Sequence, residues 1–319
     1  MKCLVTGAAG GIGSHLCEML IERGHIVRGV DNYSVGRFTA PYIRKFDCAG
    51  DEAPTIDHGY DWVFHLAGLA DIVPSIEHPL RYHNANVTGT VRMLEWARHA
   101  GVRRFIYAAS SSCYGIPAWT PTPETTPCAP QYPYALTKHL GEQYVLHYAR
   151  VYGLPSVSLR LFNVYGPRFR TAGTYGAVFG VFLAQLANRK PLTIVGDGTQ
   201  RRDFTHVSDV CRAFIAAAES THTEETFNVG SGNSYSINML AHLLGSVDRV
   251  YLPKRPGEPD CTYADIRKIQ AMLRWQPAVP FDEGVRSMLL RLDEYKKAPL
   301  WTPDSIARAT AEWHRRLST

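Results

Sequence analysis

Short apolar runs alternate with longer amphipathic stretches over the first half of the chain. Lys2–Thr6, Ile26–Val30, Trp62–Leu66, Arg104–Ala109 and Ser156–Leu161 are short and largely apolar. That is the pattern of parallel strands buried on both faces. Between them, apolar residues recur at helical spacing across Gly11–Arg23, Ala85–Ala100 and Tyr134–Tyr152. Strand–helix alternation with short links predicts an α/β fold built on a doubly wound parallel sheet. Beyond about Phe162 the rhythm loosens, and shorter helices are predicted at Gly176–Asn188, Ser208–Glu219, Ser236–Leu244 and Phe281–Lys297. The tail from Pro303 reads as one amphipathic helix with Ile306, Trp313 and Leu317 on related faces. The expected division is a sheet domain over 1–165, rejoined around 203–230, and a smaller α/β lobe from 166–202 and 231–319. That lobe would close over the carboxyl ends of the strands, where ligands of such sheets sit.

Composition narrows the function classes. The 319 residues are 45% hydrophobic and 20% charged, ordinary for a globular protein, and no apolar run reaches the length of a membrane span. The first residues lack the layout of a signal peptide, so a cytoplasmic protein is expected. The net charge of +5 comes from 34 basic and 29 acidic side chains scattered along the chain. Basic residues cluster only as pairs, among them Arg103-Arg104, Arg201-Arg202 and Arg315-Arg316, and never as a tract. A small anionic ligand fits this better than nucleic acid. Seven cysteines, widely spaced and without a Cys-x-x-Cys pair, argue against a disulfide framework or a structural metal. They are expected to be reduced thiols, and no metal is expected.

The candidate chemistry begins where the first strand gives way to the first helix. Four of the seven residues from Gly7 to Gly13 are glycine, in the order Gly7-Ala-Ala-Gly10-Gly11-Ile12-Gly13. Gly7 permits a tight turn, Gly10 a close backbone approach to a pyrophosphate, and Gly13 close helix–sheet packing. The helix start then offers free N–H groups to the phosphates. Asp31 stands 18 residues past Gly13, at the end of the second strand, placed to accept from the adenosine ribose hydroxyls. This is a Rossmann-like dinucleotide site, with NAD favoured by Asp31; Arg28 and Arg37 keep NADP as the minority alternative.

A second signal is Tyr134-Ala-Leu-Thr-Lys138, which puts phenol and ammonium on one helix face. The ammonium, with a cationic nicotinamide ring, would lower the phenol's pKa and let it act as a base. Ser110, Ser111 and Ser112 follow the strand Arg104–Ala109, at the edge where a hydroxyl can hold a substrate oxygen beside that phenol. Taken singly, such serines are as often turn or cap residues.

Together, Gly7xxGly10xxGly13, Asp31-Asn32, His65-Leu66-Ala67-Gly68, Asn86, the serine run, Tyr134xxxLys138 and Arg160-Leu-Phe162-Asn163-Val-Tyr-Gly-Pro resemble the extended short-chain dehydrogenase/reductase family. The resemblance covers nearly the whole chain and is strongest to the NAD-dependent nucleotide-sugar 4-epimerases acting on UDP-hexoses. It implies Tyr134 as base, Lys138 as its partner and ribose ligand, and Ser110 as the substrate hydroxyl. It further implies Asn32, Asp47, Leu66, Ala67, Gly68 and Asn86 as cofactor contacts. Ser111, Ser112, Phe162 and Asn163 would line the sugar pocket. Arg202, in Gly196-Asp-Gly-Thr-Gln-Arg-Arg202, and Arg255, in Arg255-Pro-Gly-Glu258, would grip the diphosphate, and Glu258 would bind the nucleotide's ribose. Arg170 stands where uronate-converting relatives also carry arginine, and could equally face the nucleotide or solvent. Dehydratases of the family carry a Thr-Asp-Glu run, and UDP-glucuronate decarboxylases a Glu, where this chain has only serines; this favours epimerisation, which needs no such acid–base pair. The expected substrate order is UDP-glucuronate, UDP-glucose, then UDP-N-acetylglucosamine, with a UDP-glucuronate decarboxylase and a non-catalytic NAD-binding sensor as alternatives. A homodimer through Ala85–Ala100 and Tyr134–Tyr152 is also implied.

Overall fold

The computed structural model describes residues 1–50, 56–169, 177–245 and 248–317. Seven parallel strands form its central sheet: β1 (Lys2–Thr6), β2 (Ile26–Asp31), β3 (Ile43–Lys45), β4 (Trp62–His65), β5 (Arg104–Ser110), β6 (Ser156–Leu161) and β7 (Glu225–Val229). Their order is β7-β6-β5-β4-β1-β2-β3, so the winding reverses between β1 and β4. Loops after these two strands leave on opposite sides, which opens a crevice at their carboxyl ends.

Helices cover both faces, which is why most strands are apolar throughout; β6 alternates instead, its buried Ser158 and Arg160 being satisfied by Glu142. On one face α1 (Gly11–Glu22) and α5 (Val207–Glu219) bury Leu16, Leu20, Val210 and Phe214 against Val5, Phe64 and Ile106. On the other, α2 (Gly89–His99) and α3 (Pro133–Tyr152) bury Met93, Trp96, Val145 and Tyr148 against Leu4, Val63 and Phe105. A third core lies outside the sheet, where α4 (Val178–Ala187), α6 (Ile237–Leu243) and α7 (Phe281–Leu289) enclose Tyr165, Phe182, Phe204, Leu240 and Val285. Its rings pack closely: Phe204 and Phe281 stack at 5.2 Å and Tyr235 and Phe281 at 4.1 Å.

Three elements differ from the periodicity-based reading. The helix predicted over Ala85–Ala100 begins instead as a π-turn, Asn84–Thr88, and becomes α2 only at Gly89. Buried Asn86 sits in that wide turn and is bonded elsewhere, as described below. The helix predicted over Phe281–Lys297 stops at Leu289 and continues as a 3₁₀ turn, Leu292–Tyr295. The tail is two helices, α8 (Pro303–Ala309) and α9 (Ala311–Leu317); Thr310 caps the first, and its hydroxyl donates to the Ile306 carbonyl at 2.8 Å. No described helix is long and apolar enough to cross a membrane.

Candidate active site

The glycine loop is built as its spacing requires. Gly7 has φ +70°, and a Cβ there would stand 2.8 Å from the Leu66 carbonyl carbon and the Ala67 amide nitrogen. A Cβ on Gly13 would lie 2.2 Å from the Gly7 oxygen. Neither contact is tolerable, so only glycine lets the loop lie this close to the 66–68 segment and to α1. Gly10 precedes α1, whose first turn carries no acidic residue, leaving its positive end for an anion. Ile12 faces the core, and its carbonyl accepts from the Cys211 thiol.

A cleft runs along this loop between Gly7, Gly10, Asp31, Asn32, Asp47 and Ala67. Asp31 is already engaged: its carboxylate accepts from Ala9 N–H at 3.0 Å and Tyr33 N–H at 2.7 Å. It therefore ties the end of β2 to the glycine loop as well as facing the cleft. Asn32 donates to Asp47 at 3.2 Å, which also accepts from Ala49 N–H at 2.9 Å. Asn86 is spent within the protein. Its amide oxygen accepts from Leu69 N–H at 2.7 Å, and its amide nitrogen donates to the Leu69 carbonyl and the Thr137 hydroxyl, both at 3.0 Å. The side chain fixes the loop Leu66–Leu69 rather than reaching into the cleft. A buried His65, held by Thr6 at 2.8 Å and Thr90 at 3.1 Å, anchors the same loop; burial lowers its pKa to about 3, so it stays neutral.

Tyr134 and Lys138 occupy successive turns near the start of α3, and both reach the crevice. The Lys138 ammonium lies 4.4 Å from the centre of the Tyr107 ring and 3.8 Å from where a Cβ on Gly68 would stand. Burial lowers its pKa to about 7, partly opposed by Glu142. The Tyr134 ring is flanked by Tyr132 at 6.4 Å and Tyr82 at 6.5 Å. Its phenol pKa is raised by burial and pulled back by the Ser110 hydroxyl, with Asp71 and Cys113 adding to the rise. This departs from the expectation of a lowered phenol pKa. Within the protein alone desolvation dominates, and a cationic ring bound alongside is what would reverse it. Ser110 ends β5 and caps the turn Ser111–Tyr114; its hydroxyl accepts from Ser112 N–H at 3.2 Å and shares a hydrogen bond with the Ser112 hydroxyl at 2.8 Å.

The second lobe brings Arg202, Arg255 and Glu258 together, as two separate segments would have to for a diphosphate. Glu258 lies 3.1 Å from Arg255 and 3.7 Å from Arg202. Asn163 accepts from the Thr262 hydroxyl at 2.8 Å. The Phe162 ring is buried against Tyr114 and belongs to the core rather than the cleft. Arg170 lies outside the described residues.

Two groups beside the site were not among the expected site residues. Tyr132 interacts with the Ser112 hydroxyl on one side and lies within electrostatic reach of Arg202 and Glu258 on the other. Trp313 on α9 is buried beside it: its indole donates to the Pro256 carbonyl at 2.7 Å, the Arg255 guanidinium lies 5.4 Å from its ring, and its ring centre is 6.3 Å from that of Tyr132. An aromatic next to the Tyr134 motif and a lone Trp in the tail were the only signals. Trp313→Ala is expected to raise the KM for the nucleotide sugar about tenfold, the worth of one cation–π contact, with kcat changed less than about threefold. Steady-state kinetics at several substrate concentrations checks this.

A glycine cradle that no side chain could fill, an acid-free helix start and a buried ammonium behind Gly68 together suit an anionic dinucleotide. The comparisons agree. Residues 3–230 match the model of the NAD dependent epimerase/dehydratase family. The chain belongs to this family. It is 36% identical to the UDP-glucose 4-epimerase of Mycolicibacterium smegmatis, over 89% of this chain and 96% of that one. The fold superposes on the UDP-glucose 4-epimerase of Thermotoga maritima with UDP-glucose, TM-score 0.85 at 32% identity, covering 92% of this chain and 99% of that one. It also superposes on the UDP-glucuronic acid 4-epimerase of Bacillus cereus in complex with UDP-glucuronic acid and NAD, TM-score 0.82 at 31% identity, with the same coverage. As an epimerase/dehydratase family member the chain uses NAD.

Proposed function

We propose that this protein is an NAD-dependent 4-epimerase of UDP-hexoses, with UDP-glucuronate its first substrate. The carrying observation is that Tyr134 faces the Ser110 hydroxyl at the carboxyl edge of β5, with Lys138 one turn on against the Tyr107 ring, while the following turn, Ser111–Tyr114, supplies hydroxyls and no carboxylate. Elimination of water needs a proton donor placed at the sugar, and inversion of a carbinol does not.

In this reading Gly7, Gly10, Gly11 and Gly13 receive the pyrophosphate, Asp31, Asn32 and Asp47 the adenosine end, and Lys138 the nicotinamide ribose. Bound NAD supplies reversible hydride acceptance at sugar C4. Ser110 holds the C4 oxygen, and Tyr134 takes its proton and later returns it. Arg202 and Arg255 keep the diphosphate gripped while the 4-keto sugar turns and presents its other face, and Glu258 faces the ribose. Ser111, Ser112 and Asn163 offer hydrogen-bond donors to a C6 carboxylate. A neutral hexose is the second reading, favoured by Asp71, whose charge reaches Tyr134 and would repel an anionic sugar. The assembly proposed is a homodimer through α3, on whose outer face Leu136, Tyr144 and Val151 are exposed at helical spacing.

The test is incubation of the purified protein with UDP-glucuronate, UDP-glucose and UDP-N-acetylglucosamine in turn, without added cofactor, followed by NMR and absorbance. The expected product is the C4-inverted sugar, fastest from UDP-glucuronate, with no lasting NADH signal. Release of water or carbon dioxide would overturn epimerisation, and a clear preference for UDP-glucose would establish the neutral reading.

A further inference from the structure

Immediately behind the serine turn lies a cluster of groups that the sugar chemistry does not use. Cys113 is in the turn Ser111–Tyr114 and is buried; Cys128 is partly exposed and packs into the same cluster with Phe162 and Ala264. Ala129 N–H donates to the Cys113 carbonyl at 2.9 Å, which sets the two backbone segments side by side. The Cys128 sulfur, a His139 ring nitrogen and a Glu142 carboxylate oxygen all lie within 4.8 Å of one another. Glu142 is held in place by Arg160, at 2.6 Å, and by the Ser158 hydroxyl, at 2.9 Å.

We propose that Cys128 and Cys113 form a peroxide-reactive dithiol beside the active site, in which the His139–Glu142 pair arranges the exposed sulfur and the buried sulfur resolves it. Thiol, imidazole and carboxylate stand in the order of an activated nucleophile, with His139 Nδ1 3.7 Å from the Glu142 carboxylate. His139 is raised to about 9 by Cys128 and Glu142, so the ring carries a proton at neutral pH. The neighbouring Cys113 and His139 pull the Cys128 thiol below its usual range against the opposing effect of burial. Cys113 itself is pushed up and keeps its proton. The partly exposed sulfur is the one beside His139 that an oxidant can reach, and the buried one stands behind it, the order a two-step oxidation requires.

The step balances with a hydroperoxide as oxidant. The Cys128 thiolate attacks one peroxide oxygen, the O–O bond breaks, and the leaving oxygen takes the His139 proton and departs as water or alcohol. The Cys113 sulfur then attacks the Cys128 sulfenic acid; the S–S bond forms, the S–O bond breaks, and the hydroxyl leaves as water with the Cys113 proton. Two thiols are oxidised and one peroxide is reduced. The product would tie the 128 segment to the turn that carries Ser111 and Ser112. A metal ion is disfavoured at the same place because Glu142 is already paired with the Arg160 guanidinium.

The experiment uses the full chain, reduced, freed of reductant, treated with a slight excess of hydrogen peroxide, alkylated with N-ethylmaleimide and digested with trypsin. Both cysteines fall in one peptide, 105–138, because no Lys or Arg separates Arg104 from Lys138. The expected result is that peptide two hydrogen masses lighter and unalkylated, restored by dithiothreitol. Cys113→Ser should leave a dimedone-reactive Cys128, and His139→Gln should slow the oxidation about tenfold. Both cysteines still alkylated after peroxide, Cys128 driven to sulfinic acid with Cys113 free, or a stoichiometric bound metal that protects both would each overturn the proposal. Loss of sugar turnover on cross-linking rests on the epimerase reading. The peptide mass does not, so the two ideas fail separately.

Discussion

Tyr134→Phe is expected to lower kcat by about 10³-fold, within the range general acid–base catalysis contributes, while UDP-sugar binding changes less than about twofold. In the proposed mechanism the change removes the oxygen that takes the C4 proton and leaves the diphosphate contacts alone. The ring, its stacking on Tyr132 and its packing beside Tyr82 are kept. Arg202 and Arg255, the proposed diphosphate anchors, pair with Glu258 and are untouched. Titration calorimetry with UDP-glucuronate, set beside the rate of C4 inversion, separates the two effects. A variant within about tenfold of wild-type kcat would remove Tyr134 from the chemistry, and with it the role of Lys138 one turn further along.

Glu142→Gln is expected to cost about 3–5 kcal/mol of folding stability at pH 7, because it leaves Arg160 buried without its charge partner. Both side chains of this pair are almost fully enclosed, and Arg160 also donates to the Tyr114 hydroxyl at 2.9 Å. Burial pushes the Glu142 carboxyl up, but the nearby His139 ring and the hydrogen bonds from Arg160 and Ser158 outweigh it and hold the pKa down at about 2. The folded-state value lies below the unfolded one, so the stabilisation is complete above about pH 4.5 and is lost as pH falls through 2. Urea unfolding of both proteins should show a gap that is large at pH 7 and narrows through that acid window. A constant gap would place the effect in packing rather than charge.

Much of the sheet domain was legible in the chain itself. β1 and β6 lie where the apolar runs put them, and α3 begins one residue from its predicted start. A doubly buried strand has to be apolar wherever no buried partner meets a polar group, and a glycine cradle has to be glycine where a Cβ would strike backbone. Both constraints are local, so both are written in order along the chain. β3 and β7 were less legible because β3 spans only three residues and β7 lies far along the chain from its neighbour β6.

The site divides in the same way. Residue types, spacing and the resemblance they carry placed Gly7, Asp31, Ser110, Tyr134 and Lys138 at one edge of one sheet. Only the tertiary structure showed that Asp31 holds the glycine loop and that Asn86 is consumed by the Leu69 backbone. Only it brought α9 from the end of the chain to lay Trp313 over Arg255, and set Cys128 against His139. The reason is physical. Helix period, strand burial and positive-φ glycines are set by near neighbours, whereas which polar atom satisfies which is settled by residues tens to hundreds of positions apart, once the apolar faces have closed around them.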